Sequence, residues 1–186
     1  MSAVKPVLKY TNFTRLSEER LLFILQRRNE PAVRSRMINT AEIGVEEHLR
    51  FCASLREDKS RLYLLVSLDD WPKGVIDMTN IDYAAHTYEG GSYFFEHEGN
   101  FSSDAVKGCA LVNLRLGLYY PTLYIRKNNV QALMFSMMKL KQELVGEDEE
   151  FYRLTNTYLD PDTPLHEHVR RDLEYLRGKY ELVVEL

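Results

Sequence analysis

The sequence predicts a mixed α/β (α+β) fold, in which a central mixed sheet of about six or seven strands carries helices on both faces. Two observations support this class. Three strand-like segments in the middle of the chain follow one another through short turns, which is typical of an antiparallel meander. The segments after them alternate as helix, strand and helix, which is typical of a crossover connection back into the same sheet.

The first third of the chain is predicted to be mainly helical. Val4 to Asn12 favours a first strand, and Leu16, Ser17 and Leu21 then fit a hydrophobic staple around an N-cap serine. Pro31 ends the helix that this staple begins. The helices predicted in this region cover Glu18 to Asn29, Ala32 to Met37 and Glu46 to Arg56.

The predicted meander occupies the middle of the chain. Arg61 to Leu68 is apolar and β-leaning, and Asp69 to Lys73 has the acidic pair and the proline of a turn. Gly74 to Ile81 is the returning strand. Tyr83 to Thr87 then leads into an aromatic strand within Gly91 to Phe95, which completes three antiparallel strands.

Helices and strands alternate in the last part of the chain. Gly117 is a suitable end for one helix, and Thr163-Pro164 is a suitable start for another, whose leucines and valine form one apolar stripe. An acidic loop is predicted over Glu147 to Glu150. The helices predicted here cover Ser103 to Arg115, Asn129 to Leu144 and Pro164 to Gly178, and the strands cover Thr122 to Arg126, Tyr152 to Leu159 and Tyr180 to Val184.

Composition limits the class of partner. With 186 residues, 45% of them hydrophobic, the chain is expected to form a single domain over residues 1–186. Its net charge of -4 argues against general binding of nucleic acid or of anionic membranes. Two cysteines allow neither a disulfide framework nor a four-thiolate metal site, so we expect a cytoplasmic protein without a bound metal. No apolar run approaches the length of a membrane span.

One segment has the features of an anion site. Tyr93 to Phe95 favours a strand, Gly99 would let a ligand approach the backbone, and Ser102 or Ser103 is a good N-cap for a following helix. A helix start presents unpaired N–H groups and a partial positive charge, both of which favour phosphate. The segment also fits an ordinary turn between a strand and a helix, and a single glycine does not separate the two interpretations.

Four segments carry a family resemblance. They are Arg28 to Met37, Glu47 to Phe51, Gly74 to Ile81 and Gly91-Ser92-Tyr93. The first resembles the Trp-Arg-Asn segment of the RimL-like branch of the GNAT family of acyl-CoA N-acyltransferases, with Arg27 in the place of the tryptophan. The other three resemble, more narrowly, the N-acetyltransferases of pseudaminic acid biosynthesis, which acetylate a nucleotide-linked amino sugar.

Two further motifs fit the same family in their spacing. The distance from Gly99 to Asn129-Val130-Gln131-Ala132 matches that between the family's pyrophosphate loop and its Asn-x-x-Ala helix start. The loop itself is degenerate, since Glu96 to Phe101 stands where the family has Gln/Arg-x-x-Gly-x-Gly/Ala. Gly108-Cys109-Ala110 offers a competing alignment, but within a predicted helix. Ser136 replaces the tyrosine that usually protonates the leaving thiolate, and a serine hydroxyl is too weak an acid for that role.

The resemblance implies an acetyl-CoA-dependent N-acetyltransferase with a splayed sheet. The expected acceptor is a small-molecule amine, with a nucleotide-linked amino sugar favoured. Two alternatives stay open, an N-terminal protein acetyltransferase and a non-catalytic acyl-CoA-binding protein, and so does a homodimer. The implied substrate-binding residues are Arg28, His48, Asn80 and Tyr93. The implied cofactor-binding residues are Phe94, Phe95, Gly99, Asn100, Phe101, Ser102, Ser103 and Asn129. The catalytic acid and base stay unassigned.

The resemblance also predicts how the ligands lie. The pyrophosphate is expected at Gly99 to Ser103, the pantetheine amides along the edge of Tyr93 to Phe95, and Asn129 near the thiol. Arg28 is expected to hold an acceptor phosphate, or else to pair with an acidic side chain. Glu96 and Glu98 should oppose the pyrophosphate unless they point away or meet a cation. The additional helix from Pro164 to Gly178 could cover the acceptor site or carry a partner.

Overall fold

In the described residues all strands join one sheet, and seven α-helices pack around it. The computed structural model describes residues 4–96 and 99–186. The helices are α1 (Glu18–Asn29), α2 (Pro31–Arg34), α3 (Val45–Ser54), α4 (Phe101–Gly108), α5 (Ala110–Leu116), α6 (Val130–Met138) and α7 (His166–Lys179). The strands are β1 (Val7–Asn12), β2 (Leu62–Leu68), β3 (Trp71–Asp82), β4 (Thr87–Phe94), β5 (Tyr120–Arg126), β6 (Glu143–Glu147), β7 (Phe151–Thr155) and β8 (Glu181–Glu185).

The sheet has the strand order β6-β7-β5-β4-β3-β2-β1-β8, so it contains eight strands in the described residues. The meander β2-β3-β4 is antiparallel, as predicted. β4 pairs with β5 in parallel through the crossover of α4 and α5. The last strand, β8, crosses to the far edge of the sheet and pairs in parallel with β1. The mixed α/β class predicted from the sequence is therefore confirmed.

Each face of the sheet carries its own core. On one face, here called the α1/α3 face, residues of both helices pack with Leu65 and Val75 from the central strands. On the other, the α4/α7 face, residues of α4, α5 and α7 pack with Leu64, Ile76 and Met78. The alternation of side chains along β2 and β3 divides the two cores, because neighbouring residues of a strand point to opposite faces. The predicted placement of helices on both faces is confirmed.

The C-terminal helix α7 covers the α4/α7 face. Its apolar stripe, Val169, Leu173 and Leu176, is almost fully buried. Lys107 of α4 forms an ion pair of 2.7 Å with Asp172 of α7, which fixes the two helices against each other. The helix thus completes a core on the opposite side of the sheet from α1 and α3.

Three predicted helices have clearly wrong bounds. The helix predicted over Ala32 to Met37 is the short α2, Pro31–Arg34. The segment predicted as one helix from Asn129 to Leu144 is α6 followed by the edge strand β6. The helix ends at Met138, Lys141 beyond it adopts a left-handed φ of 56°, and the chain then pairs with β7, with Leu144 opposite Leu154. The helix predicted from Ser103 to Arg115 begins earlier and is interrupted at Cys109.

The predicted strand from Tyr152 to Leu159 is too long. It ends at Thr155, because the following residues leave the sheet and bury Tyr158 and Leu159 against the α4/α7 face. The side-chain amide of Asn156 donates to the carbonyl of Leu140 at 2.8 Å, which holds this loop against the end of α6.

Candidate functional site

The candidate site is a cleft between β4 and β5, two parallel strands that pair over part of their length. Thr87 to Gly90 pair with Tyr120 to Leu123, and within the described residues the pairing stops there. β4 nevertheless continues to Phe94 beside β3, and β5 continues to Arg126 beside β7. The two strands therefore diverge toward their carboxyl ends and leave a V-shaped cleft, which is the splay that the resemblance implied.

The open edge of β4 belongs to two residues. The N–H of Phe95 donates to the carbonyl of Lys73 at 2.9 Å, so Phe95 faces β3. Because the backbone groups of an antiparallel strand alternate in direction, Tyr93 also faces β3, whereas Ser92 and Phe94 face the cleft. An extended ligand can therefore pair with Ser92 and Phe94. The prediction that Tyr93 to Phe95 forms this edge is wrong for its first and last residues.

Two helices begin at the open mouth of the cleft, since β4 leads to α4 and β5 leads to α6. In α4 the first intrahelical bond runs from the N–H of Asp104 to the carbonyl of Asn100, at 3.0 Å. The N–H groups of Phe101 to Ser103 precede it and have no intrahelical acceptor. The mouth thus combines the carboxyl ends of two parallel strands with free helix N–H groups, an arrangement that suits a phosphate.

The start of α4 differs from the predicted serine cap. Gly99 has a φ of +51°, and Asn100 is already in the right-handed helical region as the N-cap residue. The helix therefore begins before Ser102 and Ser103, which lie half-buried in its first turn. No side chain caps α4 in the described residues. A Cβ on Gly99 would meet no other atom within 4 Å, so its conformation, not a close contact, calls for glycine.

The aromatic residues of the predicted cofactor site are mainly core residues. Phe101 is buried and packs edge-on against Phe94, with 6.4 Å between ring centres. Phe95 is buried on the opposite face, against Phe23 of α1. Of the three, Phe94 offers backbone groups to the cleft, whereas the side chains of all three stabilise the strand and the helix that form the cleft.

Asn129 is the N-cap of α6, at the mouth. Its Oδ1 accepts a hydrogen bond from the N–H of Ala132 at 3.2 Å, which leaves its amide nitrogen available to a ligand. Ser136 lies two turns further along α6 and is buried.

One of the two acidic residues of the loop forms an ion pair with an arginine. Glu96 pairs with Arg27 at 3.2 Å, and Arg27 also contacts Glu30 at 2.7 Å and the carbonyl of Phe95 at 3.2 Å. Arg27, which stands where the RimL-like branch has tryptophan, thus binds one of the charges expected to oppose pyrophosphate. Glu98 lies outside the described residues.

Three of the four predicted acceptor residues come together. Arg28 on α1, His48 on α3 and Tyr93 on β4 lie on the α1/α3 face, and the charge on Arg28 affects the pKa values of the other two. Asn80 is not with them. It is exposed, has a left-handed φ of 49° and stands five residues beyond Val75, the partner of Tyr93, roughly 16 Å along β3.

The guanidinium of Arg28 already has partners. It donates to the carbonyls of Asn39, at 2.7 Å, and Ala41, and thereby fixes the loop between α2 and α3. These partners are carbonyls, so the alternative prediction of an ion pair is wrong for the described residues. His48 is buried, and its Nε2 contacts the carbonyl of Leu21 at 3.0 Å. Burial lowers the pKa of His48 below its ordinary 6.5, so that the ring is neutral at pH 7.

Asp77 is the site residue that the sequence prediction missed. It lies in the middle of β3 on the α1/α3 face, opposite Gly91 of β4. No hydrogen bond or ion pair joins its carboxylate to any described residue, and burial raises its pKa to about 6. The available signal was an aspartate between the apolar residues Ile76 and Met78 of a central strand, since such positions seldom carry a charge without a role.

Gly91 opens a path between Asp77 and the cleft. A Cβ at Gly91 would lie 2.7 Å from the carboxylate of Asp77, closer than side chains approach one another. Because Gly91 has no side chain, the carboxylate of Asp77 can lie over β4 at Gly91, the residue that precedes Ser92 of the open edge. A proton acceptor thus stands beside the strand edge that an extended ligand would occupy.

Comparisons with known proteins identify the family. No family model matches the chain. The acetyltransferase PseH of Campylobacter jejuni is 31% identical over 153 residues, which cover 78% of this chain and 91% of that protein. The chain belongs to the PseH family of acetyltransferases. The PseH sequence of another C. jejuni strain is 28% identical over 156 residues, covering 80% of this chain and 92% of PseH.

Solved structures agree with this family. The structure of C. jejuni PseH in complex with acetyl coenzyme A has a TM-score of 0.64 and 27% identity, covering 81% of this chain and 99% of PseH. Spermidine N-acetyltransferase from Vibrio cholerae, in complex with CoA and spermine, has a TM-score of 0.70 at 15% identity, covering 82% and 95%. The likeness to spermidine N-acetyltransferase establishes the GNAT fold, which the PseH family shares. No helix in the described part of the chain is long and apolar enough to cross a membrane.

Proposed function

We propose that the protein transfers the acetyl group of acetyl-CoA to the amino group of a small molecule, with a nucleotide-linked amino sugar as the acceptor. One observation carries the proposal: the free edge of Ser92 and Phe94 in β4 runs from the first turn of α4 to the vertex of the cleft. Phe94 and Gly90 are four residues apart along this edge, roughly 13 Å, which is long enough for an extended ligand to pair with it. Membership of the PseH family supports the same reaction.

The proposed donor position follows from the groups along this line. The pyrophosphate lies at the free N–H groups of Phe101 to Ser103, and the pantetheine amides pair with the backbone of Ser92 and Phe94. The thioester then lies near the vertex, where an N–H of β4 stabilises the oxyanion that forms during attack. The bond between Arg27 and Glu96 reduces the repulsion that an acidic loop would otherwise exert on the pyrophosphate.

The acceptor approaches from the α1/α3 face. Its ammonium group gives one proton to the carboxylate of Asp77, and the free amine attacks the thioester carbonyl. The C–N bond forms, the C–S bond breaks, and the second amine proton goes to the thiolate through solvent. Asp77 returns its proton to water, so that one proton is released for each acetyl group transferred. A carboxylate with a pKa of about 6 suits this role near neutral pH.

The test is the release of CoA thiol with acetyl-CoA and three acceptors: a nucleotide-linked amino sugar, spermidine and a peptide with a free N-terminus. We expect kcat/KM for the amino sugar to exceed that for either other amine by about a hundredfold or more. A preference for the peptide would favour the protein N-terminal alternative. Binding of acetyl-CoA with no turnover of any amine would show a non-catalytic protein and contradict the proposal.

A further inference from the structure

A cavity of about 90 Å³ adjoins the vertex of the cleft on the α4/α7 face. Gly90 and Leu123, the last residues that pair β4 with β5, both line it. The cavity thus begins where the strands close. It lies across the sheet from Arg28 and His48, the side from which the acceptor is proposed to approach, and Asp77 also contributes to its lining.

The walls of the cavity are mainly apolar. They come from the central strands, from α4 and α5, and from the residues around β6 and β7, and their apolar members include Ile76, Met78, Ala110, Leu123 and Leu159. A water-sized group occupies about 30 Å³, so the cavity has room for about three non-hydrogen groups. The methyl of an acetyl group would use a fraction of that space.

Three amides at the cavity lack part of their hydrogen bonding. They belong to Asn113, Gln142 and Asn156, which line the cavity and are each more than nine-tenths buried. The amide oxygen of each has no hydrogen-bond partner among the described residues. Few buried polar groups of folded proteins lack a partner, so three around one cavity are unusual.

The hydrogen bond of Asn156 fixes which of its amide atoms remains free. The Nδ2 of Asn156 donates to the carbonyl of Leu140 at 2.8 Å, and a carbonyl can only accept, so the free atom is the oxygen. The Nδ2 of Asn113 donates to the hydroxyl of Tyr88 at 2.9 Å. The free atom of Asn156 is therefore an acceptor, and the unpartnered atoms of Asn113 and Gln142 are likewise oxygens in the structure, so a ligand that donates a hydrogen bond would pair with one of them.

We propose that the cavity holds the tail of a short hydroxyacyl group, so that the enzyme also uses a hydroxyacyl-CoA of about four carbons as donor. The inference rests on the proposed function, because the thioester must lie at the vertex for its acyl tail to enter. A neutral hydroxyl can donate a hydrogen bond to one of the three oxygens. A plain alkyl tail would leave them unpaired, and an ammonium would bury a charge among apolar walls.

A carboxylated tail is disfavoured for a related reason. Its oxygens would face other acceptors, and Lys107, the cation that lines the cavity, is paired with Asp172. The reaction is the same as for acetyl: the amine nitrogen forms a bond to the acyl carbon, the C–S bond breaks, and the CoA thiolate takes up a proton.

The test compares kcat/KM for 3-hydroxybutyryl-CoA, butyryl-CoA and succinyl-CoA, with acetyl-CoA in the same assay. We expect hydroxybutyryl-CoA to exceed each of the other two by at least about tenfold. Gln142→Leu replaces an amide of similar size whose side chain has no hydrogen bond to any described residue, and it should bring the ratio of hydroxybutyryl-CoA to butyryl-CoA near one. Gln26→Leu, an exposed glutamine on α1, is the matched control and should keep the ratio.

Two results would overturn the inference. One is turnover of acetyl-CoA with less than about a hundredth of that rate for both hydroxybutyryl-CoA and butyryl-CoA, which would show that no longer tail enters. The other is a ratio that Gln142→Leu leaves unchanged. If acetyl-CoA itself is not turned over, the proposed function fails instead. Calorimetry with hydroxybutyryl-CoA and butyryl-CoA then tests whether the cavity prefers a hydroxyacyl tail, and equal affinities for the two would refute that preference.

Discussion

Replacing Asp77 by Asn should impair catalysis and stabilise the fold at the same time. The substitution keeps the shape of the side chain but removes the proton acceptor. Positioned general bases contribute about 10² to 10⁴ to the rate, so we expect kcat/KM at pH 7 to fall within that range. The wild-type profile should lose activity as pH falls through about 6, because Asp77 becomes protonated there, and the variant should lack this limb.

The stability effect has the opposite sign. Burial raises the pKa of Asp77 from an ordinary 3.8 to about 6, so the folded protein binds this proton more tightly than the unfolded chain does. The carboxylate therefore destabilises the fold above pH 6, by at most about 3 kcal/mol at 1.36 kcal/mol per pKa unit, and that cost disappears as pH falls from 6 to 3.8. The variant should be more stable than wild type at pH 7, by about 1 to 3 kcal/mol.

The assays are a pH profile of CoA thiol release and urea unfolding at pH 5 and pH 7. The groups that face Asp77 are Tyr63 on β2, Tyr93 on β4 and Cys109 between α4 and α5, whose pKa values its charge raises. All three stay neutral through this pH range, so the limb near 6 reports Asp77. An Asp77→Asn variant with an unchanged profile, or with lower stability at pH 7, would refute the reasoning.

Three further predictions concern the surrounding residues. Gly108→Ala should destabilise the fold by about 1 to 3 kcal/mol in urea unfolding, because a Cβ there would clash with the hydroxyl of Tyr10; a neutral result would contradict this. Gly99→Ala should weaken CoA binding in calorimetry by up to about tenfold, since a φ of +51° costs a non-glycine residue about 1 kcal/mol; unchanged affinity would show that α4 does not bind CoA. Arg28→Ala removes the side chain that anchors the loop at Asn39, so the thermal midpoint should fall by several degrees. The KM for the acceptor should rise, whereas the KM for acetyl-CoA should change little. An equal rise in KM for the acceptor and for acetyl-CoA would contradict the placement of Arg28 on the acceptor side.

The sequence was most informative where local patterns agree with packing. The start of α1 at Glu18 follows from the cap of Ser17, whose hydroxyl accepts from the N–H of Arg20. It was least informative where tertiary pairing outweighs propensity. The residues around Leu144 suit a helix, yet they form an edge strand because β7 offers them a partner.

The candidate site shows the same contrast between local sequence patterns and tertiary pairing. Spacing and resemblance led to Gly99 and the strand before it, but could not tell which residues of β4 face outward, because that depends on the register with β3. Asp77 was missed because an aspartate in a strand gives no local sign that its cross-strand partner, Gly91, lacks a side chain. The close contact of Gly108 with Tyr10 could not be predicted from the sequence, since it joins residues far apart in the chain.

A crystal structure with bound acetyl-CoA tests the central claim most directly. We predict the pyrophosphate at the N–H groups of Phe101 to Ser103, the pantetheine amides within hydrogen-bond distance of Ser92 and Phe94, and the thioester beside Gly91, on the path to Asp77. Acetyl-CoA bound away from the open edge of β4, or with its thioester on a side of the sheet that Asp77 does not reach, would contradict the account.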